Sequence, residues 1–255
     1  MAKIALITGA SSGIGEACAR LFAREHYNLI LTGRRLDRLE KLAKKLNTKY
    51  NVEVAVSSFD VRNRDEVISN LEGLPAKWKK LNVLINNAGL SQGLDPIQNG
   101  DLDDWDTMID TNIKGLLYVS KVVSNWMISN KHGHIINIGS VAGKEVYPNG
   151  NVYCATKHAV DALNQAMRLD LLEHGIKVTG IHPGAVETEF SEVRFKGDKA
   201  RAKKVYQGFD SLVADDIAET IWFAVSRPSH VNINDMVVMP TAQASATNIL
   251  KNQDR

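Results

Sequence analysis

The chain of 255 residues has little cysteine, no long apolar run and no stretch of like charge. Its two cysteines, Cys18 and Cys154, lie outside any Cys/His pattern typical of a zinc site, so we expect no metal, and both fit a reducing compartment. The apolar run after Lys3 is too short for the core of a signal peptide, and no later run could span a bilayer. These absences predict a soluble, cytoplasmic protein with no membrane partner.

The charges are nearly balanced, with 31 basic and 29 acidic residues, and neither sign forms a run. A tail or patch that binds nucleic acid is therefore not expected. The sequence also has no fixed-period repeat, no low-complexity tract and no linker rich in proline or serine, and its length suits one large core. We expect a single domain over residues 1–255 that acts on a small molecule.

Short apolar runs alternate with longer amphipathic runs along almost the whole chain, which is typical of βαβ units. These runs predict strands at residues 4–8, 28–32, 52–56, 82–86, 134–138, 177–181 and 235–239. They predict helices at residues 13–25, 35–48, 63–72, 103–130, 151–174 and 214–226. The predicted fold is α/β, a single-domain Rossmann-type doubly wound sheet of seven parallel strands flanked by helices. Because ligands of such sheets bind beyond the carboxyl ends of the strands, the residues after each strand are the candidates for a site.

A glycine-rich loop follows the first predicted strand and opens the first helix. Glycine permits the tight turn and lets backbone N–H groups approach a pyrophosphate, which a helix N-terminus also favours electrostatically. A plain turn between a strand and a helix would need only one glycine, whereas this loop has three. The residues expected to bind a dinucleotide here are Gly9, Ser11, Ser12, Gly13, Ile14 and Gly15.

Two arginines, Arg34 and Arg35, follow the second predicted strand, where an enzyme that selects NAD usually carries an acidic residue. Guanidinium groups make charge-assisted hydrogen bonds to phosphate oxygens, so the pair favours the 2′-phosphate of NADP. Alternatively, the two arginines simply begin a solvated basic helix that continues through Arg38 and Lys41. This alternative applies more strongly to Arg35.

The third and fourth strands lead into further candidates for the cofactor site. Asp60 and Val61 follow the third strand, and the Asp60 carboxylate either accepts the adenine amino group or caps the helix that starts near Asn63. After the fourth strand come small residues and amides against which a cofactor could lie: Asn87, Ala88 and Gly89.

The sixth strand is followed by a break in the regular pattern that we expect to lie against the nicotinamide. The residues assigned to the cofactor there are Pro183, Gly184, Val186 and Thr188. Residues 188–213 then form a basic and aromatic insertion before the helix that begins near Ala214. We interpret this insertion as a candidate lid over the substrate.

Tyr153 and Lys157 are four residues apart in a predicted helix and so share one of its faces. A free tyrosine has a pKa of about 10, and a nearby cation stabilises its ionised form. Ser140, just after the fifth strand, places a hydroxyl where it could bind a substrate oxygen. The pattern makes Tyr153 a candidate acid/base, although the same spacing also occurs on helices where tyrosine packs and lysine is solvated.

Asn112 lies in the middle of the long predicted helix, where asparagine is unfavourable. It indicates a local distortion or a water site, or else an ordinary polar contact.

Together these motifs resemble the short-chain dehydrogenase/reductase family over essentially the whole chain. The motifs that carry the resemblance are the loop from Thr8 to Gly15, Asn86-Asn87-Ala88-Gly89, Asn112, Ser140, Tyr153 with Lys157, and Pro183-Gly184. The stretches around residues 33–35, 183–191, 193–197 and 231–234 resemble the NADP-dependent 3-hydroxy acid dehydrogenases of that family. A carbonyl or 3-oxoacyl reductase of broader specificity, or a catalytically idle NADP-binding sensor, are the alternatives.

The resemblance implies the role of each catalytic residue. Tyr153 would exchange the hydroxyl proton, Lys157 would lower the phenol's pKa and bind the nicotinamide ribose, and Ser140 would hold the reacting oxygen. Asn112 would anchor a water molecule. The resemblance also implies a homotetramer joined through the helices at residues 103–130 and 151–174.

The substrate carboxylate needs a cation, and the insertion offers Arg194, whose guanidinium can hold a carboxylate at two points. Lys144 and Tyr147 are candidates on the opposing loop. Arg194 could equally be an ordinary surface arginine.

Overall fold

The computed structural model describes residues 2–252. Its strands are β1 (Ile4–Thr8), β2 (Asn28–Gly33), β3 (Val54–Ser58), β4 (Val83–Asn86), β5 (Gly133–Ile138), β6 (Ile176–Pro183), β7 (Val186–Glu187), β8 (Leu212–Val213) and β9 (Asp235–Val238). Its α-helices are α1 (Gly13–Arg24), α2 (Leu36–Tyr50), α3 (Arg64–Glu72), α4 (Leu102–Ile109), α5 (Leu116–Asn130), α6 (Asn151–Asp170), α7 (Phe190–Arg194), α8 (Lys199–Val205) and α9 (Ala214–Val225).

Seven of the strands form one parallel sheet in the order β3-β2-β1-β4-β5-β6-β9, which confirms the predicted fold. Strand β1 is buried along its whole length because helices cover both faces of the sheet. On one face Phe22 of α1 packs edge-on against Trp222 of α9, with ring centres 5.4 Å apart. On the other face Trp126 of α5 packs in a second apolar cluster.

The strand order reverses at β1, which pairs with β2 on one side and with β4 on the other. The chain therefore leaves β1 and β4 in opposite directions and opens a crevice beyond their carboxyl ends. This crevice brings the loops after β1, β2, β4, β5 and β6 together.

The structure differs from the predicted elements mainly at their ends. Strand β3 begins two residues later than predicted, and α6 ends at Asp170, with a short 3-10 turn at Leu172–His174. The single long helix predicted over residues 103–130 is divided by a π-helical segment at Asp110–Gly115, so a local distortion is present where Asn112 indicated one. Apolar periodicity continues through a π-turn, and for this reason the pattern alone gave one helix.

Residues 188–213 are more regular than the sequence predicted. They contain α7 and α8, and a short parallel ladder pairs Val186 with Leu212 and Glu187 with Val213 at the base of the segment. None of the helices within residues 2–252 is long and apolar enough to cross a membrane.

Candidate active site

A cavity of about 460 Å³ lies at the crevice beyond the carboxyl ends of the strands. It brings together most of the residues that the sequence singled out. Those that line it are Gly9, Ser11, Ser12, Gly13, Ile14, Arg34, Arg35, Asp60, Val61, Asn87, Ala88, Gly89, Ser140, Tyr147, Tyr153, Lys157, Pro183, Gly184, Val186, Thr188 and Arg194. Three candidates, Gly15, Asn112 and Lys144, do not line it.

The glycine-rich loop has the conformation that an anion-binding turn requires. Gly9 and Gly13 have positive φ angles of 67° and 53°, which other residues rarely adopt. The Ser12 side chain makes no capping hydrogen bond to the first turn of α1, so the amides of that turn remain available to a phosphate. These features fit a dinucleotide pyrophosphate.

Gly15 contributes to this loop through packing and does not contact the cavity. A Cβ atom at this position would lie 2.4 Å from the Gly9 carbonyl oxygen and 2.6 Å from the Asn87 side-chain nitrogen. That nitrogen donates a hydrogen bond of 2.9 Å to the Thr8 carbonyl. The absence of a side chain at Gly15 therefore lets Asn87 hold the end of β1.

Arg35 lies against the glycine-rich loop, with its Nε and Nη2 donating to Ser11 Oγ and its Nη2 donating to Ser12 Oγ. Arg35 is also the N-cap of α2 and its side chain is 40% exposed, so its assignment to the cofactor stays a prediction. Arg34 is more exposed, and its Nη1 lies 4.0 Å from an Asp60 carboxylate oxygen. Both guanidiniums line the cavity.

Asp60 does not cap the helix that follows it, so the capping alternative is wrong. Asn63 is the N-cap of α3, and its side chain accepts hydrogen bonds from the amides of Asp65 and Glu66. The Asp60 carboxylate instead accepts two hydrogen bonds from the guanidinium of Arg62 and lies at the cavity wall.

Tyr153, Ser140 and Lys157 converge in the cavity and are each at most 9% exposed. Lys157 Nζ donates a hydrogen bond of 2.9 Å to the carbonyl of Ile138 at the end of β5 and lies 6.0 Å from the centre of the Tyr153 ring. The amide of Ala142 donates to Ser140 Oγ over 3.1 Å, which fixes the direction of that hydroxyl. A phenol, a hydroxyl and an ammonium group therefore share one enclosed space.

Burial controls the ionisation of these groups. It raises the pKa of Tyr153 well above its ordinary value, and the neighbouring Ser140 hydroxyl and Arg194 guanidinium only partly oppose this effect. Burial also lowers the pKa of Lys157 to about 8. In the protein alone, the desolvation of the phenol outweighs the nearby Arg194 charge, and the lowering expected from Lys157 in the cofactor-bound enzyme stays a prediction.

Asn112 lies behind the cavity in the π-helical segment, where it braces two elements. Its Oδ1 accepts a 2.8 Å hydrogen bond from the amide of Leu90, and its Nδ2 donates to the Leu90 carbonyl and to Thr156 Oγ1. Both amide protons are thus used within the protein. Asn112 joins the loop after β4 to the turn of α6 that carries Lys157.

Arg194 of α7 brings a guanidinium group to the wall opposite the glycine-rich loop. Its Nη2 donates a 2.7 Å hydrogen bond to the Tyr147 hydroxyl, and its Cζ lies 5.8 Å from the centre of the Tyr153 ring. Its Nε is buried and has no hydrogen-bond partner among the described residues. The guanidinium group lines the cavity and brings a positive charge close to Tyr153.

Lys144 does not reach the cavity, so the structure does not support it as a substrate contact. Its Nζ lies 2.8 Å from Asp161 and 3.8 Å from Asp235, which attract the ammonium group away from the site. The side chains of Asp161, His182 and Asp235 bring potential metal ligands within 4.8 Å of one another. The two carboxylates are already paired with the Lys144 ammonium and the Arg168 guanidinium.

Sequence reasoning missed several residues of the cavity wall. Glu189 lines it and is paired with Arg35 and Arg38. Gln243 also lines it, and its Oε1 accepts a 2.8 Å hydrogen bond from the amide of Ala185. These contacts join positions far apart in the chain, so no local pattern could have revealed them.

The chain is similar to known dehydrogenases over nearly its whole length. The family model described as short chain dehydrogenase matches residues 3–199. The NADP-dependent 3-hydroxy acid dehydrogenase YdfG of Escherichia coli strain K12 is 44% identical over 95% of this chain and 97% of its own. Sulfoacetaldehyde reductase 2 of Chromohalobacter salexigens is 46% identical over 96% of both chains.

A solved structure shares both the fold and much of the sequence. The closed form of a serine dehydrogenase complexed with NADP+ superposes with a TM-score of 0.91 at 43% identity, and covers 98% of this chain and 100% of its own.

Proposed function

Because the chain belongs to the short chain dehydrogenase family, we propose that it is an NADP-dependent oxidoreductase that interconverts a small 3-hydroxy acid and its 3-oxo form. The observation that carries this proposal is the partly buried Arg194 guanidinium, which lines the cavity beside Tyr153. An acid/base with a cation nearby suits a substrate in which one carbon separates the hydroxyl-bearing carbon from the carboxylate. The names of the relatives and the bound NADP+ of the serine dehydrogenase support the same assignment.

The cofactor-binding residues would hold NADP at both of its ends. The amides of the loop from Gly9 to Gly15 would bind the pyrophosphate, and Arg34 and Arg35 would bind the 2′-phosphate. NADP, when bound, supplies the carbon that accepts or donates the hydride.

In the proposed mechanism, the protein manages the proton and the orientation of the substrate. The phenolate form of Tyr153 takes the proton of the substrate hydroxyl during oxidation, and the phenol returns it during reduction, a role typically worth about 10²–10⁴-fold in rate. Ser140 donates a hydrogen bond to the reacting oxygen, and Arg194 holds the carboxylate. Lys157 places its ammonium group close to Tyr153, and Asn112 keeps the supporting turn of α6 in position, with one Oδ1 lone pair left for a water molecule.

A 3-oxo or aldehyde substrate with a sulfonate group is a second candidate. The 46% identity to a protein named sulfoacetaldehyde reductase 2 favours it, and a guanidinium group binds sulfonate oxygens as it binds carboxylate oxygens. A carbonyl reductase of broader specificity would need no anionic group at all.

A substrate panel separates these candidates. Serine, allo-threonine, 3-hydroxyisobutyrate and 3-hydroxypropionate are assayed for NADPH formation with NADP and with NAD, and sulfoacetaldehyde is assayed for NADPH consumption. Methyl esters of the acids are the matched controls. We expect turnover of at least one free acid with NADP and little turnover of its ester, whereas equal turnover of acid and ester would exclude the acid-specific function.

We further propose that residues 188–213 are the substrate lid of a single-domain enzyme. Two ion-pair groups at its edges support this role, one from Glu189 to Arg35 and the other from Lys196 to Asp101 and Asp104. All of these side chains except Asp104 are at least 40% exposed, and exposed charge pairs are weak, so a lid that they hold can open. Faster amide exchange in this segment than in the sheet would support the proposal.

A cytoplasmic homotetramer is the proposed assembly and location. Both cysteines are free and buried, as suits a reducing compartment. Leu117 of α5 and Leu169 at the end of α6 are exposed by 38% and 75%, and such apolar positions on the two helices suit contacts between subunits. Light scattering should give about four times the chain mass, and cell fractionation would test the location.

A further inference from the structure

The carboxylate of Glu189, in the proposed lid, forms ion pairs with two arginines that follow β2. Glu189 Oε2 lies 2.8 Å from Arg35 Nη1, and its Oε1 lies 2.7 Å from Arg38 Nη1. The two oxygens of one carboxylate thus bridge two guanidinium groups, in the manner of a bound phosphate. The Glu189 carboxylate is therefore bound to Arg35, one of the two arginines that the sequence predicted to bind the 2′-phosphate of NADP.

The other edge of Arg35 is fixed to the glycine-rich loop. Its Nε and Nη2 bind Ser11 Oγ at 3.1 Å and 3.0 Å, and Nη2 also binds Ser12 Oγ. The guanidinium group is therefore held at the cavity wall and cannot easily turn away from Glu189. Any phosphate that approaches Arg35 meets the Glu189 carboxylate as a neighbour of like charge.

Glu189 reaches this position from the opposite side of the crevice. It directly precedes α7, and the side chain of the preceding Thr188 lies 3.4 Å from the position of a Cβ atom added to Gly13. The side chains of Arg35 and Glu189 are 40% and 42% exposed. Exposed ion pairs of this kind are weak, so a phosphate dianion can displace the carboxylate at a modest cost in affinity.

We propose that Glu189 is a specificity-determining residue that occupies the 2′-phosphate subsite of the free protein and competes with the phosphate for Arg35 and Arg38. This inference rests on the proposed use of NADP. The competition weakens the binding of nucleotides that carry a 2′-phosphate and leaves the binding of those without one unchanged. Glu189 therefore lowers the ratio of NADP affinity to NAD affinity that the arginines create.

The test measures binding to the purified full chain by titration calorimetry, with adenosine 2′,5′-bisphosphate and adenosine 5′-monophosphate as probes. The variant is Glu189→Gln, which keeps the size of the side chain and removes its charge. The matched control is Glu192→Gln, which removes the same charge three residues later in the chain, within α7. Thermal unfolding of each variant verifies that it folds, and Glu189→Asp, which shortens the reach of the carboxylate, serves as a second variant.

We expect Glu189→Gln to bind the bisphosphate about three- to tenfold more tightly, since two weak ion pairs no longer compete, and to bind the monophosphate unchanged. Glu192→Gln should stay within about twofold of the natural chain for both probes, and Glu189→Asp should shift binding in the same direction as Glu189→Gln. Unchanged or weaker binding of the bisphosphate by Glu189→Gln would overturn the inference about Glu189 alone. If the natural chain does not prefer the bisphosphate to the monophosphate, the assignment of NADP fails and this inference fails with it.

Discussion

The guanidinium carbon of Arg194 lies 5.8 Å from the centre of the Tyr153 ring, inside the cavity beyond the carboxyl ends of the strands. The two residues are 41 positions apart in the chain and come from α7 and α6. Their proximity joins a candidate acid/base to a cation for the substrate. Separate substitutions of Arg194 and Tyr153 can test these two roles.

Replacing Arg194 with methionine should raise KM for a 3-hydroxy acid about 10- to 100-fold, because a charge-assisted hydrogen bond to the carboxylate is lost. KM for the methyl ester should change little, since the ester carries no charge. The measurement is steady-state kinetics of both substrates. Arg201→Met is the control, because Arg201 stacks on Phe195 outside the cavity. An equal rise in KM for the acid and for the ester in Arg194→Met would contradict the assignment.

Replacing Tyr153 with phenylalanine should lower kcat by about 10³-fold or more, because the proton donor is removed. The ring remains, so packing against Phe190, with ring centres 5.7 Å apart, should persist. NADP affinity measured by titration should stay nearly unchanged. Tyr118→Phe, on α5 beside the apolar cluster of Trp126 and outside the cavity, should keep full activity. A Tyr153→Phe enzyme that retains most of its turnover would exclude Tyr153 as the acid/base.

The sequence could predict those parts of the site that lie close to the carboxyl end of a strand or that share one face of a helix. The glycines after β1 and the Tyr153-Lys157 spacing are local patterns whose position in a doubly wound sheet follows from the strand order. The pairing of Arg35 with Glu189 joins residues 154 positions apart, so it depends on how the segment after β7 folds back. Lys144 does not reach the cavity for the same reason, since its partner Asp161 lies 17 positions away on α6.

Ionisation is the other property that sequence could not supply. The spacing of Tyr153 and Lys157 predicts a nearby cation, but the pKa of each group depends on how completely the fold removes it from water. In the structure that desolvation dominates for both groups.

Gly15→Ala should lower the free energy of unfolding by about 2–4 kcal/mol, although alanine normally favours a helix. The added Cβ would lie 2.4 Å from the carbonyl oxygen of Gly9, which is backbone and cannot move cheaply. Denaturant unfolding is the measurement. Gly33→Ala is the control, because its Cβ would meet its nearest neighbour, Ser11 Oγ, at an ordinary 3.6 Å; equal losses in both variants would contradict the packing role of Gly15.

The free energy of unfolding should rise with pH as Lys157 loses its proton. Burial lowers the pKa of this ammonium group from 10.5 to about 8, so between these values the unfolded chain binds its proton more tightly than the folded chain does. The folded state is therefore penalised below the folded pKa, and the penalty disappears as pH rises through this window. Tyr153, whose pKa is raised, contributes a change of opposite sign only above its ordinary pKa of about 10.

Between about pH 7 and about pH 9.5, the natural chain should gain about 2 kcal/mol of stability relative to Lys157→Met, which has a side chain of similar length and no proton to lose. The measurement is the denaturant midpoint and slope of both proteins at the two pH values, because titrations common to both cancel in the difference. Lys121→Met, at an exposed position of α5, should show the pH dependence of the natural chain. If Lys157→Met shows that same dependence, the pKa of Lys157 is not lowered in the folded state. The conclusion that the fold removes this ammonium group from water would then be wrong.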